Sequence, residues 1–273
     1  MHSNRIVFSF LLLLIAHFSH TQSSNGLILE DEIYETVPVV EVAPLSRGSK
    51  SSLKPWAPKP SDQGATPSCV GHAIANALSI SFVVLPTIPT TNPKEIEEQK
   101  LSASFIYNQI KRGAAAGQRA SLFEGFQLVQ AMGDCYEKDF PNHLAPQILP
   151  DTQHIQSASE FRIKSFGKID SRDITSDIFR ARIKGQIEGG TPVVIGINVP
   201  VNWRQTAART AEEWNQQPLE GHAMVIIGFN GNGEFELMNS YGTAWGKGGF
   251  IRLPCELVMK HLKYAYIAIL SKQ

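Results

Sequence analysis

The stretch DQGATPSCVGHAIANALS, residues 62–79, constrains this chain more than any other. A loop of Gly, Pro and small polar residues runs into Cys69, and the residues that follow, VGHAIANALSISFVV, are small or apolar on nearly every face. A helix that is apolar all round has to be buried, and Pro67-Ser68 supply its start signal. A thiol in the first turn of such a helix faces free N–H groups that favour an anion, which pulls it toward thiolate. Gln63, on the loop leading in, carries an amide that can donate to an oxyanion forming beside the Cys69 backbone N–H. An ordinary buried cysteine fits the same segment, because free Cys is among the most buried residue types.

A helix of this kind needs a large core around it. The chain has 273 residues, 42% hydrophobic and 18% charged, enough for one or two globular domains. Its formal net charge is zero and no Lys/Arg block stands out, which argues against a nucleic-acid partner. Arg5 followed by the apolar run of residues 6–18 and then polar residues reads as a secretory signal covering residues 1–21. The run is short for a membrane span, and no Cys lies near the cut, so stable membrane insertion and a lipid anchor are not expected and a secreted or periplasmic location is. Three cysteines, Cys69, Cys135 and Cys255, leave at least one thiol unpaired. Either Cys135 and Cys255 pair or all three are free.

Residues 22–50 form a short acidic-apolar lead segment with strand-like alternation at 36–42, read as a small propeptide, a docked strand or a tail. The main domain is expected over 51–273. Helical spacing marks 101–113 and 121–133, the latter with Ser121 as N-cap and Glu124 at the third helical position. Beyond residue 155 the character changes to strands, with the NGNG turn at 230–233 between two of them and one amphipathic helix ending in Gly189-Gly190. This order predicts an α+β protein of two lobes, helical over about 62–150 and an antiparallel β-rich lobe over about 155–273, with a cleft between them.

A thiol nucleophile needs a base and a group that orients the base. His72 sits on the Cys69 helix and reads as a core or surface histidine; His143 and His154 lie in loops; His261 ends a short helix, where the dipole favours a cation. His222 differs, because it opens a strongly apolar strand just after a loop. The 230–233 turn brings the next strand back and puts Asn239 close to His222, so that an amide oxygen can hold one ring nitrogen and leave the other for Cys69. The His and Cys residues show no metal-ligand spacing, and no cofactor is expected.

With DQG…SC (Asp62, Gln63, Gly64, Ser68, Cys69), GHAMVIIGF (His222, Ala223) and NSYGTAWGKGGFIRL (Asn239, Tyr241, Trp245) in that order, the chain resembles the papain-like cysteine peptidases over residues 50–273. The resemblance implies a two-lobed fold and a peptide or protein substrate. It also implies Cys69 as nucleophile, His222 as base then acid, Asn239 as the orienting group and Gln63 as oxyanion donor, with Ser68, Tyr241 and Trp245 in support. The chain departs from the family pattern in several places. Thr66 stands where the family has a disulfide cysteine, Val70 replaces the aromatic after the nucleophile, and Tyr241 replaces a tryptophan that shields the His–Asn pair. No long propeptide precedes the domain, and the Gly-Gly segment that binds substrate backbone is represented only by QRASLFEG. These departures resemble the divergent bacterial branch of the family. Two other functions fit the same residues: a catalytically inactive binding module of this fold, and a thiol-dependent acyl transferase or amidase.

Overall fold

A computed structural model describes residues 26–40, 51–86, 89–113, 118–172 and 174–271. The export-signal reading of residues 1–21 falls outside them. The helix that begins at the cysteine, α2 (Cys69–Val84), is buried along almost its whole length, as its apolar surface requires. On one side it packs against α4 (Ala103–Ile110) and α5 (Leu122–Ala131), and on the other against the sheet. A Cβ at Gly71 would lie 2.4 Å from the Ala103 carbonyl oxygen, so the α2 and α4 backbones touch at that glycine. Pro67 lies before the helix, and Ser68 occupies the N-cap position without accepting a side-chain cap bond. The start is therefore where the sequence placed it, but the first-turn N–H groups stay available to other acceptors.

Short helices complete the helical side: α1 (Asp31–Thr36), α3 (Pro93–Glu98) and α6 (Thr152–Ala158). The helix expected over 101–113 runs only from Ala103 to Ile110. Ser102 caps it, and Lys111 turns extended so that Arg112 can pair with Arg119 in an isolated antiparallel bridge. Ser121 caps α5 as expected, accepting from the Glu124 N–H, but the Glu124 carboxylate goes to Arg112 rather than back to the cap.

The β side is one six-stranded antiparallel sheet of order β1-β6-β2-β3-β4-β5. Its strands are β1 (Ser165–Lys168), β2 (Val193–Pro200), β3 (Leu219–Phe229), β4 (Glu234–Met238), β5 (Phe250–Pro254) and β6 (Leu262–Ile269). All six strands lie beyond residue 155, where the character changes to strands. In the central pair, β2 is buried at every residue but Asn198 and β3 from His222 to Gly228, which suits continuous apolar runs. Helices α7 (Ser176–Glu188) and α10 (Cys255–His261) pack on the sheet, and α8 (Trp203–Thr206) and α9 (Ala211–Asn215) lie in the β2–β3 connection. Cys69, Cys135 and Cys255 are all buried and all free, which selects the second of the two cysteine alternatives.

The lead segment is ordered over 26–40. Residues 31–36 are helical, and of the alternating stretch at 36–42 the described part runs to residue 40, where Val39 pairs in parallel with Lys168 at the edge of β1. Tyr34 sits in an aromatic cluster with Tyr264 and Tyr266, ring centroids 4.8 and 5.2 Å away. Asp31 pairs with Lys263 at 3.0 Å and accepts from the Tyr264 hydroxyl at 2.6 Å. Glu35 pairs with Lys168 and Arg172.

Candidate active site

The β2–β3 register sets His222 opposite Ile197 and Ala223 opposite Gly196. His222 thus lies inside β3 rather than at its first residue, and it is fully buried. The β3–β4 hairpin returns the chain to Asn239, whose Oδ1 lies 2.8 Å from His222 Nε2. That oxygen also accepts the Ser240 N–H at 2.7 Å, which fixes the amide orientation and makes Nε2 the protonated ring nitrogen. His222 Nδ1 is buried without a partner. Tyr241 stacks on the imidazole at 5.1 Å and 22°.

Cys69 sits at the mouth of α2, fully buried. The backbone N–H groups of Ala223, the neighbour of His222, and of Val70 in the first helical turn favour its anion. The expected drift of the thiol toward thiolate is overturned here: burial outweighs these N–H groups and pushes the Cys69 thiol up to about 12. Burial likewise pushes His222 down to about 4, against the upward pull of Asn239. Both groups are held neutral because a lone charge is costly in a site closed to water.

Gln63 is buried and tied at both ends. Its Oε1 accepts the Ser240 hydroxyl at 2.5 Å and its Nε2 donates to Thr66 O at 3.0 Å, which leaves one amide proton uncommitted. Ser68, the N-cap, is buried but forms no cap bond. Trp245 packs edge-on against Tyr241 and Trp203, at 5.5 and 5.1 Å.

Sequence reasoning missed Trp203 and Trp214. Their indole N–H groups both donate to Ala208 O, at 2.8 and 3.0 Å, and Trp203 stands edge-on to His222 at 6.2 Å. Two tryptophans in an otherwise polar connection were the available signal. His72 is a core histidine with an unpartnered Nε2, pushed down to about 3 mainly by burial. His154 belongs to the Asp151 capping box of α6. His261, expected to favour a cation, is instead pushed down by burial and by Lys260. Among the described residues, no group of three or more His, Cys, Asp or Glu is placed to hold a metal ion.

The lead segment crosses from one wall to the other. Leu27 pairs in parallel with Ala120, through Ala120 N–H to Gly26 O at 2.8 Å and Ile28 N–H to Ala120 O at 2.9 Å. Its own N–H donates across the groove to Gly221 O at 3.4 Å. Ala120 belongs to the QRASLFEG segment and Gly221 precedes His222, so residues 26–28 bridge the two walls beside the thiol. The Leu27 side chain is 2% exposed and lies in a recess opened by Gly196, where a Cβ would come within 3.0 Å of it and 3.3 Å of Leu122. Gly26 has φ +92, and a Cβ there would fall 2.0 Å from Pro67 O, so only glycine passes this point.

No family model matches the chain. Over 208 residues, 72% of its length, it is 25% identical to an uncharacterized peptidase C1-like protein of Acanthamoeba polyphaga mimivirus, and the match spans 64% of that relative. Among solved structures it is similar to xylellain, a cysteine protease from Xylella fastidiosa. That match has a TM-score of 0.64 at 19% identity and covers 91% of this chain and 97% of that one. It is also similar to the proform of the ragweed cysteine protease Amb a 11, with a TM-score of 0.64, 16% identity and coverages of 92% and 75%. A third similar structure is procathepsin B of Trypanosoma congolense, with a TM-score of 0.63, 14% identity and coverages of 92% and 87%. The α+β architecture of this chain, with its helical side, its antiparallel sheet and the cysteine helix between them, is the fold of the papain-like cysteine peptidases.

Proposed function

We propose that the chain is an exported cysteine peptidase that hydrolyses peptide bonds through an acyl-enzyme. The Cys69 thiol passes its proton to His222 Nδ1, and the thiolate attacks the substrate carbonyl carbon. The oxyanion that forms is held by the Cys69 N–H and the uncommitted Gln63 amide proton. Collapse expels the amine, which takes the proton from His222. A water molecule, deprotonated by the same nitrogen, then opens the thioester and frees the acid. The observation that carries this reading is the division of the His222 ring: Nε2 is committed to Asn239, and Nδ1 is buried with no partner. The neutral net charge favours peptide or protein over nucleic acid as the partner.

Residues 1–21 act as the export signal, and residues 22–50 act as a propeptide-like plug whose Leu27 sits in the groove. A second reading, an inactive binding module of the same fold, draws on the burial of Cys69 and His222 behind that plug. The decisive experiment incubates the full chain, its Leu27→Asp variant and the corresponding Cys69→Ala and His222→Ala variants with casein and a peptide panel, with products read by mass spectrometry. Hydrolysis lost in both active-site variants supports the peptidase. Transfer products point to an acyl transferase, and no turnover in any form points to the binding module.

A further inference from the structure

The two walls are joined by a second set of contacts. The loop that carries Gln63 forms a short ladder with the segment after Asn239: Gln63 N–H to Ser240 O at 2.9 Å, Gly242 N–H to Ser61 O at 3.1 Å, and an Asp62–Tyr241 bridge. Arg204, from α8, lies over this ladder. Its Nη2 reaches both Asp62 carboxylate oxygens, at 2.6 and 2.7 Å, and its Nη1 donates to Gly64 O at 3.3 Å. The guanidinium stands 4.9 Å from the centroid of the Tyr241 ring, which in turn stacks on His222. Arg204 thus grips the residues immediately before and after Gln63 and covers the ring that covers the base.

Its own footing is rigid. Trp203, the preceding residue, is fully buried with its indole N–H fixed to Ala208 O, and Ala207 ends α8 in the left-handed region at φ 47. On the opposite side of the clasp, Gly64 takes φ +60, and its N–H donates to Asp62 Oδ1 at 2.7 Å, so the carboxylate that Arg204 holds also closes the turn around Gln63. An exposed ion pair usually contributes little, but a two-pronged guanidinium on a fixed base that also stacks on an aromatic ring carries geometry as well as charge.

We propose that Arg204 is a positioning residue that holds Gln63 where the oxyanion develops, so that it acts on turnover and not on substrate affinity. This rests on the peptidase reading above. The test compares Arg204→Met and Arg204→Lys on the full chain, with Leu27→Asp as a common background to free the groove. Two rates are read for each: hydrolysis of a peptide amide, and alkylation of Cys69 by iodoacetamide, a displacement at saturated carbon that forms no oxyanion. Arg204→Met is expected to lower kcat about tenfold with KM within about twofold, as displacement of an oxyanion donor does, and not to slow alkylation, since the lost positive charge had disfavoured a charged His222. Arg204→Lys, which keeps the charge beside Asp62 but not the fork, is expected to recover part of kcat. If Arg204→Met folds poorly, Asp62→Asn, which keeps an acceptor for the Gly64 N–H, is expected to show the same split. A parallel fall in both rates, a change in KM alone, or no change would overturn the inference while leaving the peptidase in place. A parent chain with no Cys69-dependent hydrolysis would overturn both.

Discussion

Asn239 Oδ1 accepts the His222 Nε2 proton at 2.8 Å, and this contact dictates which ring nitrogen can serve as a base. With Nε2 committed, Nδ1 is the nitrogen left to take the thiol proton, and Tyr241 stacked at 5.1 Å keeps the ring from turning over.

Removing the base and removing its holder therefore have different effects. In the Leu27→Asp background, His222→Ala is expected to lower peptide hydrolysis by about 10² to 10⁴-fold, the usual span for a general acid–base group. Asn239→Ala is expected to cost about 10²-fold, because the ring stays under Tyr241 but loses its set orientation. Steady-state kinetics on one peptide substrate measures both, and equal losses would contradict the division of roles.

Opening the groove changes the reactivity of Cys69. Full burial of a leucine side chain is worth about 2 kcal/mol, and about that much is withdrawn from the closed state when Leu27 becomes Asp. Alkylation of Cys69 by iodoacetamide at neutral pH is expected to rise more than about tenfold in Leu27→Asp, since each ~1.4 kcal/mol is a factor of ten in population. Mass spectrometry of the labelled thiol reads the rate. An unchanged rate would mean that residues 26–28 do not limit access.

The same segment is held by an acid-sensitive contact. The Tyr264 hydroxyl first, and then Lys263, hold the Asp31 carboxyl below its ordinary value. A carboxylate with a depressed pKa in the docked state strengthens docking above its free pKa, and that contribution fades as pH falls through the docked value. Cys69 labelling relative to free cysteine is therefore expected to rise below about pH 4. Asp31→Asn is expected to label faster at pH 7 and to show a flatter acid dependence. A parallel pH profile for wild type and Asp31→Asn would exclude this anchor.

Acid stability carries a separate signature. His222 is pushed down to about 4 and His72 to about 3, both chiefly by burial. The unfolded chain then binds more protons than the folded one below pH 6.5, so the stability these groups contribute is complete above that pH and is lost as pH falls toward 4 and then 3. His72 also has a buried, unpartnered Nε2. His72→Phe is expected to flatten the loss of stability between about pH 6.5 and 3, read as urea midpoints across pH. A steeper loss would show that His72 is charged in the folded chain.

The sequence carried most of the fold, and the closeness of His222 and Asn239 in the candidate site, because both rest on long-range apolar patterning. The α2 helix, the six strands and the pairing of His222 with Asn239 all follow from runs such as VGHAIANALSISFVV and GHAMVIIGF and from one tight turn. The short helices α1, α8 and α9 were not legible: they have four to six residues each and depend on tertiary contacts more than on periodicity. Nor was the state of the thiol, since a helix mouth argues for an anion while the depth of burial, invisible in one sequence, argues more strongly against it. The Leu27 contact with Ala120 and Gly221 joins residues far apart in the chain through backbone atoms, which carry no side-chain signature.

The α2 helix, wedged between the other helices and the sheet, has one more consequence. Cys69 and His222 do not ride on halves free to drift apart, because a single rod packed against both sides carries the sulfur. Warming the protein should therefore leave the reactive pair in register until the molecule melts as one body, so that inactivation and unfolding share a single transition.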